Sequence, residues 1–300
     1  MTIDMENVTQ PFRADRSREE DMERKKITPV DIQAMKNEGK KISMLTAYDH
    51  PMALLEDRAG IEIILVGDSV GMTVLGYENT IPVTMDEMIH HTKAVTRGAK
   101  FALVIGDMPF MSYNTSERDA IFNAGRFMKE GGADAVKLEG GVGVKDIVKA
   151  IVRAGIPVMG HIGLTPQTIS MLGGFKVQGR DAQAAQKIID DAMLLEDAGA
   201  FSVLLEAIPA PIAKRITERL KIPTVGIGAG IHCDGQVLVV HDMLGLFDRF
   251  TPKFAKRYVN LSELMLKAFE SFKEEVLKEV FPTDQHSFHI DEKELGKIKG

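Results

Sequence analysis

The sequence predicts an α/β protein in which eight parallel strands close into a (β/α)8 barrel. The main observation is a repeat in which a helical stretch ends at a glycine and a short, almost wholly apolar strand follows. Strands that are apolar on both faces are typical of buried parallel sheets, whose strands are joined by helices. The chain has 300 residues, which accommodates a barrel of about 250 residues and two tails.

Eight segments carry the strand pattern. In five of them a glycine precedes the strand, and we expect it just past a helix end, where a left-handed backbone is needed. These five strands are predicted at 61–68 after Gly60, 101–107 after Gly98, 135–139 after Gly132, 156–161 after Gly155 and 201–206 after Gly199. The other three strands are predicted at 42–48, 223–227 and 237–241.

The connecting segments carry helix signals. Thr84 and Glu87 have the spacing of a capping box at the start of a helix. Asp181 is expected to cap a helix over 182–195, where apolar residues recur at helical spacing. A last amphipathic helix is predicted over about 262–280, packed on the barrel or on a neighbouring subunit. A doubly wound open sheet is the alternative architecture, but no G-x-G-x-x-G motif follows the first strand.

The predicted domain organisation is a charged N-terminal extension at 1–25, a barrel domain with C-terminal helices at 26–280 and a charged tail at 281–300. Both end segments lack sustained apolar periodicity. We therefore interpret them as solvated tails or as elements that become ordered in an oligomer.

Composition excludes several function classes. The net charge of -6 provides no basic surface for nucleic acid, and no apolar run approaches the roughly 20 residues of a membrane span. The mixed charges of residues 13–26 do not resemble an export signal. Cys233 is the single cysteine, which excludes an intrachain disulfide and suits a reducing compartment. We expect a cytoplasmic protein with small-molecule substrates.

Three acidic residues end consecutive predicted strands, namely Asp68, Asp107 and Glu139. In a barrel the active-site groups come from these carboxyl-terminal strand ends, and neighbouring strands lie about 4.8 Å apart. Each acid alone could instead cap a helix or loop. Three at equivalent positions would repel one another unless a cation neutralised them, and oxygen ligands favour a hard ion such as Mg²⁺. The pattern therefore predicts a magnesium site.

Three further residues are candidates for the barrel mouth. Lys137 shares a strand face with Glu139 and could bind an anionic substrate group or simply pair with that acid. His161 ends the fifth strand between glycines that suggest close approach of a ligand, although a packing role is the alternative. Glu206 ends the sixth strand and could act as a general base or only as a hydrogen-bond acceptor.

A glycine-rich loop, Gly-Ile-Gly-Ala-Gly at 226–230, follows the seventh predicted strand. Such loops bind phosphate in many barrels, but tight packing of the following segment explains the glycines equally well.

Several of these strings resemble the strand-end motifs of the ketopantoate hydroxymethyltransferase family. They are Val-Gly-Asp-Ser-Val-Gly-Met at 66–72, Gly-Asp-Met-Pro-Phe-Met at 106–111, Val-Lys-Leu-Glu-Gly-Gly at 136–141, Gly-His-Ile-Gly-Leu-Thr-Pro-Gln at 160–167, Leu-Leu-Glu at 204–206 and the loop at 226–230. The resemblance runs from about residue 42 to residue 258 and leaves both tails outside it.

The resemblance implies a barrel of the phosphoenolpyruvate/pyruvate-binding type. It also implies transfer of a hydroxymethyl group from 5,10-methylenetetrahydrofolate to 3-methyl-2-oxobutanoate, an early step of pantothenate and coenzyme A synthesis, in a homodecamer with one Mg²⁺ per subunit. The implied metal ligands are Asp68, Asp107 and Glu139, the last either direct or through water. The implied substrate-binding residues are Asp68, Ser69, Asp107, Lys137 and His161, and Glu206 is the implied proton acceptor.

Two other functions remain open at this point. One is a Mg²⁺-dependent lyase or mutase of the same barrel type, although such enzymes use a catalytic cysteine or another acidic pattern, and Cys233 is not at a convincing strand end. The other is a non-catalytic barrel that serves as an assembly scaffold, which would leave the strand-end acids unexplained. The hypothesis we carry forward is proton removal by Glu206 to form an enolate that Mg²⁺ stabilises.

Overall fold

In the computed structural model, eight parallel strands form one closed barrel in chain order, which confirms the predicted fold class. The structure describes residues 24–168, 174, 176–247 and 252–298. The strands are β1 (Ile42–Thr46), β2 (Ile63–Val66), β3 (Leu103–Asp107), β4 (Ala135–Glu139), β5 (Val158–Gly163), β6 (Ser202–Glu206), β7 (Thr224–Ile227) and β8 (Gly235–Leu238). The barrel closes where β1 pairs with β8, with Ile42 opposite Gly235.

Helices connect most successive strands and continue after the barrel. The α-helices within the described residues are α1 (Pro29–Asn37), α2 (His50–Ala59), α3 (Val70–Thr73), α4 (Met85–Gly98), α5 (Glu117–Arg126), α6 (Lys145–Arg153), α7 (Ala182–Asp197), α8 (Ala210–Arg219), α9 (Val240–Leu244), α10 (Leu261–Leu277) and α11 (Glu292–Leu295). A π-helical turn (Phe127–Gly131) and short 3-10 turns (Val142–Val144, Pro166–Thr168, Asp284–His286) complete the secondary structure. The predicted caps are present, because Thr84 and Glu87 form a capping box on α4 and Asp181 caps α7.

The last strand was predicted too late in the sequence. The prediction was 237–241, whereas β8 begins at Gly235 and His241 lies in α9. A Cβ atom at Gly235 would lie only 2.7 Å from the Ile42 carbonyl oxygen, so the glycine permits the close pairing with β1. The chain leaves the strand where the backbone N–H of Val240 donates to Oγ1 of Thr46.

Gly98 does not have the role predicted for it. Four of the five glycines before strands are left-handed, with φ between 75° and 97°, as the repeat predicts: Gly60, Gly132, Gly155 and Gly199. Gly98 is instead the last residue of α4. A Cβ atom there would lie 2.5 Å from the His50 carbonyl oxygen and 3.0 Å from the Ala53 Cβ. The absence of a side chain therefore allows α4 to pack closely against α2.

Helix α1 covers the amino-terminal end of the barrel. Its Ile32 is fully buried in the same apolar cluster as Ile42, Met44 and other inward-facing strand residues. Lys36 of α1 forms an ion pair with Asp234, just before β8, at 2.7 Å. Burying one such isoleucine contributes roughly 1.5–3 kcal/mol. This end is closed by apolar packing, which leaves the carboxyl-terminal end for chemistry.

The chain forms two compact units. The first runs to Val240 and includes Pro252–Ala255, while the second contains the remaining C-terminal residues. In the second unit α10 has no buried residue and exposes more than half of Leu266, Phe269 and Leu277. Among the described residues, no helix has the length and hydropathy needed to cross a bilayer.

Candidate active site

Buried charged groups collect at the carboxyl-terminal end of the barrel. Asp107, Glu139 and Glu206 are the last residues of β3, β4 and β6, and His161 lies in β5. Apart from Glu206, whose side chain is 15% exposed, the members of this cluster are at most 5% exposed: Asp68, Asp107, Lys137, Glu139 and His161. Charged side chains are almost never buried without partners, so their partners define the site.

Asp107 and Lys137 form the most direct ion pair of the cluster. The two residues are opposite each other in the β3–β4 register, and Lys137 Nζ lies 2.8 Å from Asp107 Oδ1. The other oxygen, Oδ2, accepts the backbone N–H of Asp68 at 3.0 Å. Burial alone would lower the pKa of Lys137, but the carboxylates of Asp107, Glu139 and Asp68 raise it above its ordinary value. Lys137 is therefore a cation inside the barrel.

His161 lies between two acids. It is opposite Glu139 in the β4–β5 register, with Nδ1 3.4 Å from Glu139 Oε1, and its Nε2 lies 3.1 Å from Glu206 Oε2. Burial and the nearby Lys137 lower the pKa of the ring, but Glu139 and Glu206 outweigh them and raise it to about 9. Nδ1 cannot both donate to Glu139 and accept from Lys137 Nζ, which lies at 3.2 Å. The raised pKa favours the charged ring, which donates to both carboxylates.

Ser69 follows Asp68 at the start of α3. Its hydroxyl is 2.8 Å from the hydroxyl of Tyr48, in the segment after β1. The structure therefore brings Asp68, Asp107, Lys137, Glu139, His161 and Glu206 together through ion pairs, hydrogen bonds and electrostatic interactions, and it places Ser69 next to them in the chain.

Two residues of the site, Gln167 and Tyr113, were not predicted from the sequence. Gln167, 2% exposed, donates from Nε2 to Asp68 Oδ2 at 2.9 Å, and its backbone N–H donates to Glu139 Oε2 at 3.0 Å. Tyr113 donates its hydroxyl to Gln167 Oε1 at 2.6 Å. Gln167 is the last residue of the motif at 160–167, but a single glutamine carries no sequence signal for such contacts.

The charge of the cluster favours protonation or a bound cation. Burial first, and then Asp107 and Glu139, raise the pKa of Asp68 well above its usual range. Burial also raises the pKa of Asp107, against the effect of Lys137. For Glu139 the hydrogen bond and charge of His161 outweigh burial and lower the pKa. The buried oxygens Asp107 Oδ1 and Glu139 Oε1 face charged partners, Lys137 Nζ at 2.8 Å and His161 Nδ1 at 3.4 Å.

The carboxylates of the cluster fit an open magnesium site better than a site whose ligands all come from the protein. No group of three or more His, Cys, Asp or Glu side chains in the described part of the chain is arranged to hold one ion together. Mg²⁺ is commonly bound by one or two carboxylates and completes its octahedron with water and substrate. Asp68, Asp107 and Glu139 supply oxygens of the kind such an ion prefers, and each of these acids is also engaged by a neighbouring side chain.

Close packing explains the glycines beside His161, so they give no separate support for close approach of a ligand. A Cβ atom at Gly160 would lie 2.7 Å from the Leu195 side chain of α7. A Cβ atom at Gly163, where φ is 98°, would lie 2.2 Å from the Glu206 carbonyl oxygen. The contacts of His161 with Glu139 and Glu206 orient its ring in the site.

The glycine-rich loop after β7 is also closely packed. Cβ atoms at Gly226, Gly228 and Gly230 would come within 2.8 Å of Cys233, Phe254 and Ala210 respectively. The packing alternative therefore accounts for all three glycines. Cys233 itself is buried just before β8, at the amino-terminal end of the barrel and away from the acidic cluster.

Comparisons with known proteins agree on one family. The model of the family described as ketopantoate hydroxymethyltransferase matches residues 26–284. The 3-methyl-2-oxobutanoate hydroxymethyltransferase of Carboxydothermus hydrogenoformans is 56% identical over 273 residues, which are 91% of this chain and 99% of that protein.

Solved structures show the same fold at low identity. Phosphonopyruvate hydrolase superposes with a TM-score of 0.59 at 12% identity, over 90% of this chain and 93% of that chain. A structure of 2,3-dimethylmalate lyase, a member of the PEP mutase/isocitrate lyase superfamily, superposes with a TM-score of 0.57 at 14% identity. The match covers 87% of this chain and 91% of that chain. The barrel is therefore of the type found in that superfamily.

Proposed function

The chain belongs to the ketopantoate hydroxymethyltransferase family, and from this premise we propose that it transfers a hydroxymethyl group from 5,10-methylenetetrahydrofolate to 3-methyl-2-oxobutanoate. The product is 2-dehydropantoate, a precursor in pantothenate and coenzyme A synthesis. The observation that carries the proposal is the buried cluster of three acids, Lys137 and His161 at the mouth of the barrel. Such a cluster suits a small anionic substrate bound beside a divalent cation.

The substrate contacts follow from charge. Lys137 is the buried cation that would pair with the carboxylate of the 2-oxo acid, and the Ser69 hydroxyl, held by Tyr48, would donate to the same group. His161 would bind a substrate oxygen, since its charged ring is already oriented by Glu139 and Glu206. Asp68 and Asp107 would hold Mg²⁺ with one further contact from Glu139 through water. The bound ion would supply positive charge that favours the enolate form of the substrate.

Glu206 is the proposed general base. It is the most exposed acid of the cluster, at 15%, so its carboxylate can reach a substrate at the mouth. Its Oε2 is 3.1 Å from His161 Nε2, which fixes the carboxylate. Glu206 would take the proton from C3 of 3-methyl-2-oxobutanoate, which creates the carbon nucleophile. One water would be consumed, because hydrolysis of the two carbon–nitrogen bonds of the folate methylene releases tetrahydrofolate and gives formaldehyde. The nucleophile would form its new bond to the formaldehyde carbon, and the formaldehyde oxygen would take up a proton to become the new hydroxyl group.

The Glu206→Gln variant tests this role. General-base removal typically costs 10²–10⁴-fold in rate, so we expect kcat to fall on the order of 10³-fold. Exchange of the C3 proton with D₂O, followed by NMR, should fall in parallel because it needs only the first step. The matched control is Glu218→Gln, on the exposed face of α8. A Glu206→Gln variant that exchanges this proton at the wild-type rate would remove Glu206 from the mechanism.

We further propose a homodecamer in the cytoplasm. The family resemblance implies the decamer, and the exposed apolar side chains of α10 support burial against other copies. The single cysteine supports a reducing compartment. Light scattering after gel filtration should give ten times the 33.0 kDa of one chain, whereas a monomer mass would contradict the assembly.

A further inference from the structure

Gln167 is a buried amide that no step of the proposed reaction uses, and it contacts the segments that follow three strands. Its Nε2 donates to Asp68 Oδ2, after β2, and to the Met108 carbonyl oxygen, after β3, at 2.9 and 3.0 Å. Its backbone N–H donates to Glu139 Oε2, at the end of β4. One residue of the turn after β5 therefore holds two of the acids proposed to face the cation.

The orientation of this amide is determined by its neighbours. The Met108 carbonyl can only accept a hydrogen bond, so the nitrogen of the Gln167 amide must face it and the amide oxygen must face Tyr113. The Tyr113 hydroxyl must then donate. The result is a directional chain from Tyr113 through Gln167 to Asp68.

Gln167 contacts one carboxylate oxygen of each of two acids, Asp68 and Glu139. Gln167 uses Oδ2 of Asp68 and Oε2 of Glu139, which leaves Oδ1 and Oε1 for other partners. Oε1 of Glu139 lies 3.4 Å from His161 Nδ1. Gln167 thus holds each carboxylate through one oxygen and leaves the other oxygen outside its own contacts. Groups that orient ligands in this way typically change metal affinity 10–100-fold when removed.

We propose that Gln167 is a positioning residue for the divalent cation, with Tyr113 fixing its amide so that Asp68 and Glu139 face the ion together. This inference rests on the proposed metal site. A merely structural role for Gln167 would tie loops together and would affect unfolding but not metal affinity. The two roles therefore separate in a binding measurement on the enzyme without substrate.

The test is Mn²⁺ binding to the full chain, followed by EPR and calorimetry. Gln167→Met keeps the length of the side chain and removes its amide, and we expect it to raise the Kd for Mn²⁺ by about 10–100-fold. The control is Gln178→Met, at a half-buried position where the side-chain amide donates to the Lys176 carbonyl oxygen. The control should bind Mn²⁺ as the wild type does.

Tyr113→Phe tests the second link and covers the case in which Gln167→Met does not fold. It should raise the Kd by a smaller factor, about 3–10-fold, and should add nothing in the Gln167→Met background, because Tyr113 acts through Gln167. Additive effects in the double variant would overturn this link. They would mean that Tyr113 acts directly on Glu139, whose N–H it accepts at 3.3 Å.

The outcomes distinguish this inference from the proposed function. If the wild type shows no saturable Mn²⁺ binding, the metal site and the role of Gln167 both fail. If the wild type binds Mn²⁺ and folded Gln167→Met binds it equally well, only the positioning role fails. Lower unfolding free energy with an unchanged Kd would assign Gln167 a structural role.

Discussion

The two ends of the barrel handle buried polar groups in opposite ways. At the amino-terminal end, Lys36 and Asp234 pair at 2.7 Å, the same carboxylate accepts the Thr224 N–H, and Ile32 fills the opening. At the carboxyl-terminal end, three buried acids share the charge of Lys137 and repel one another. Fully paired groups and apolar packing stabilise a fold, whereas buried acids that repel one another are retained where a ligand completes the site. Stability and chemistry are thus assigned to different ends of one barrel.

The largest effect is expected from Asp107→Asn, at the carboxyl-terminal end. Removing this carboxylate should lower kcat by on the order of 10³-fold or more and abolish saturable Mg²⁺ binding. The unfolding free energy of the metal-free protein should fall by up to about 3–5 kcal/mol, because the buried Lys137 loses its closest ion-pair partner. Urea unfolding and calorimetry measure both quantities.

The control for that variant is Asp146→Asn, at an exposed position of α6. It should leave metal binding, turnover and stability unchanged. An Asp107→Asn protein that is several kcal/mol less stable but binds Mg²⁺ normally would show that this acid serves the fold and not a metal site.

Ile32→Ala tests the amino-terminal end. Removing a fully buried isoleucine leaves a cavity and should lower the unfolding free energy by about 2–5 kcal/mol. Turnover and Mg²⁺ affinity at temperatures where the variant is folded should stay within about 2-fold, because this side chain is separated from the acids by the length of the barrel. Val30→Ala, on the same helix but 77% exposed, should change neither quantity. A large loss of turnover in folded Ile32→Ala would break the division between the ends.

The helices outside the barrel form a third region, and they contain a buried acid of their own. Glu56 of α2 is 5% exposed, and neither of its carboxyl oxygens has a hydrogen-bond partner among the described residues. Burial, with a smaller contribution from Asp49, raises its pKa from 4.5 to about 8. Unlike the acids of the mouth, Glu56 has no ion-pair partner in the part of the chain that the structure describes. Its isolation predicts a cost in stability and no role in catalysis.

The sign of the pH dependence follows from the raised pKa. Folding favours the protonated form, so the contribution of Glu56 is fully present below pH 4.5 and is lost as the pH rises toward 8. Glu56→Gln should therefore be more stable than the wild type by an amount that grows over this range to on the order of 2 kcal/mol. Urea unfolding between pH 5 and pH 8.5 measures the difference. A constant difference, as expected for Glu78→Gln in an exposed loop, would contradict the assignment.

The barrel was predictable because most of its strands have a local sequence pattern. Glycines such as Gly60 and Gly199 end helices, and apolar runs follow them. The exception is β8, where Gly235 and Gln236 lack the apolar signal and the apolar residues from Val237 extend past the strand end. The start and end of β8 depend on its pairing with strands whose residues are distant in the sequence, so a local pattern does not give them.

The acids of the cluster were predictable because they lie at or just after strand ends. Asp107 and Glu139 follow from the rule that barrel chemistry gathers at strand ends. The link between Tyr113 and Gln167 joins segments 54 residues apart in two loops. No local pattern predicts such a contact, because it depends on how the loops after β3 and β5 meet.

The most direct test of the account is product formation by the purified protein with 3-methyl-2-oxobutanoate and 5,10-methylenetetrahydrofolate, measured before and after EDTA treatment. We predict 2-dehydropantoate in the presence of Mg²⁺, loss of the product with EDTA, and recovery when excess Mg²⁺ is restored. Product formed at an undiminished rate in EDTA would contradict the metal site. The absence of product from folded protein with Mg²⁺ would contradict the proposed reaction.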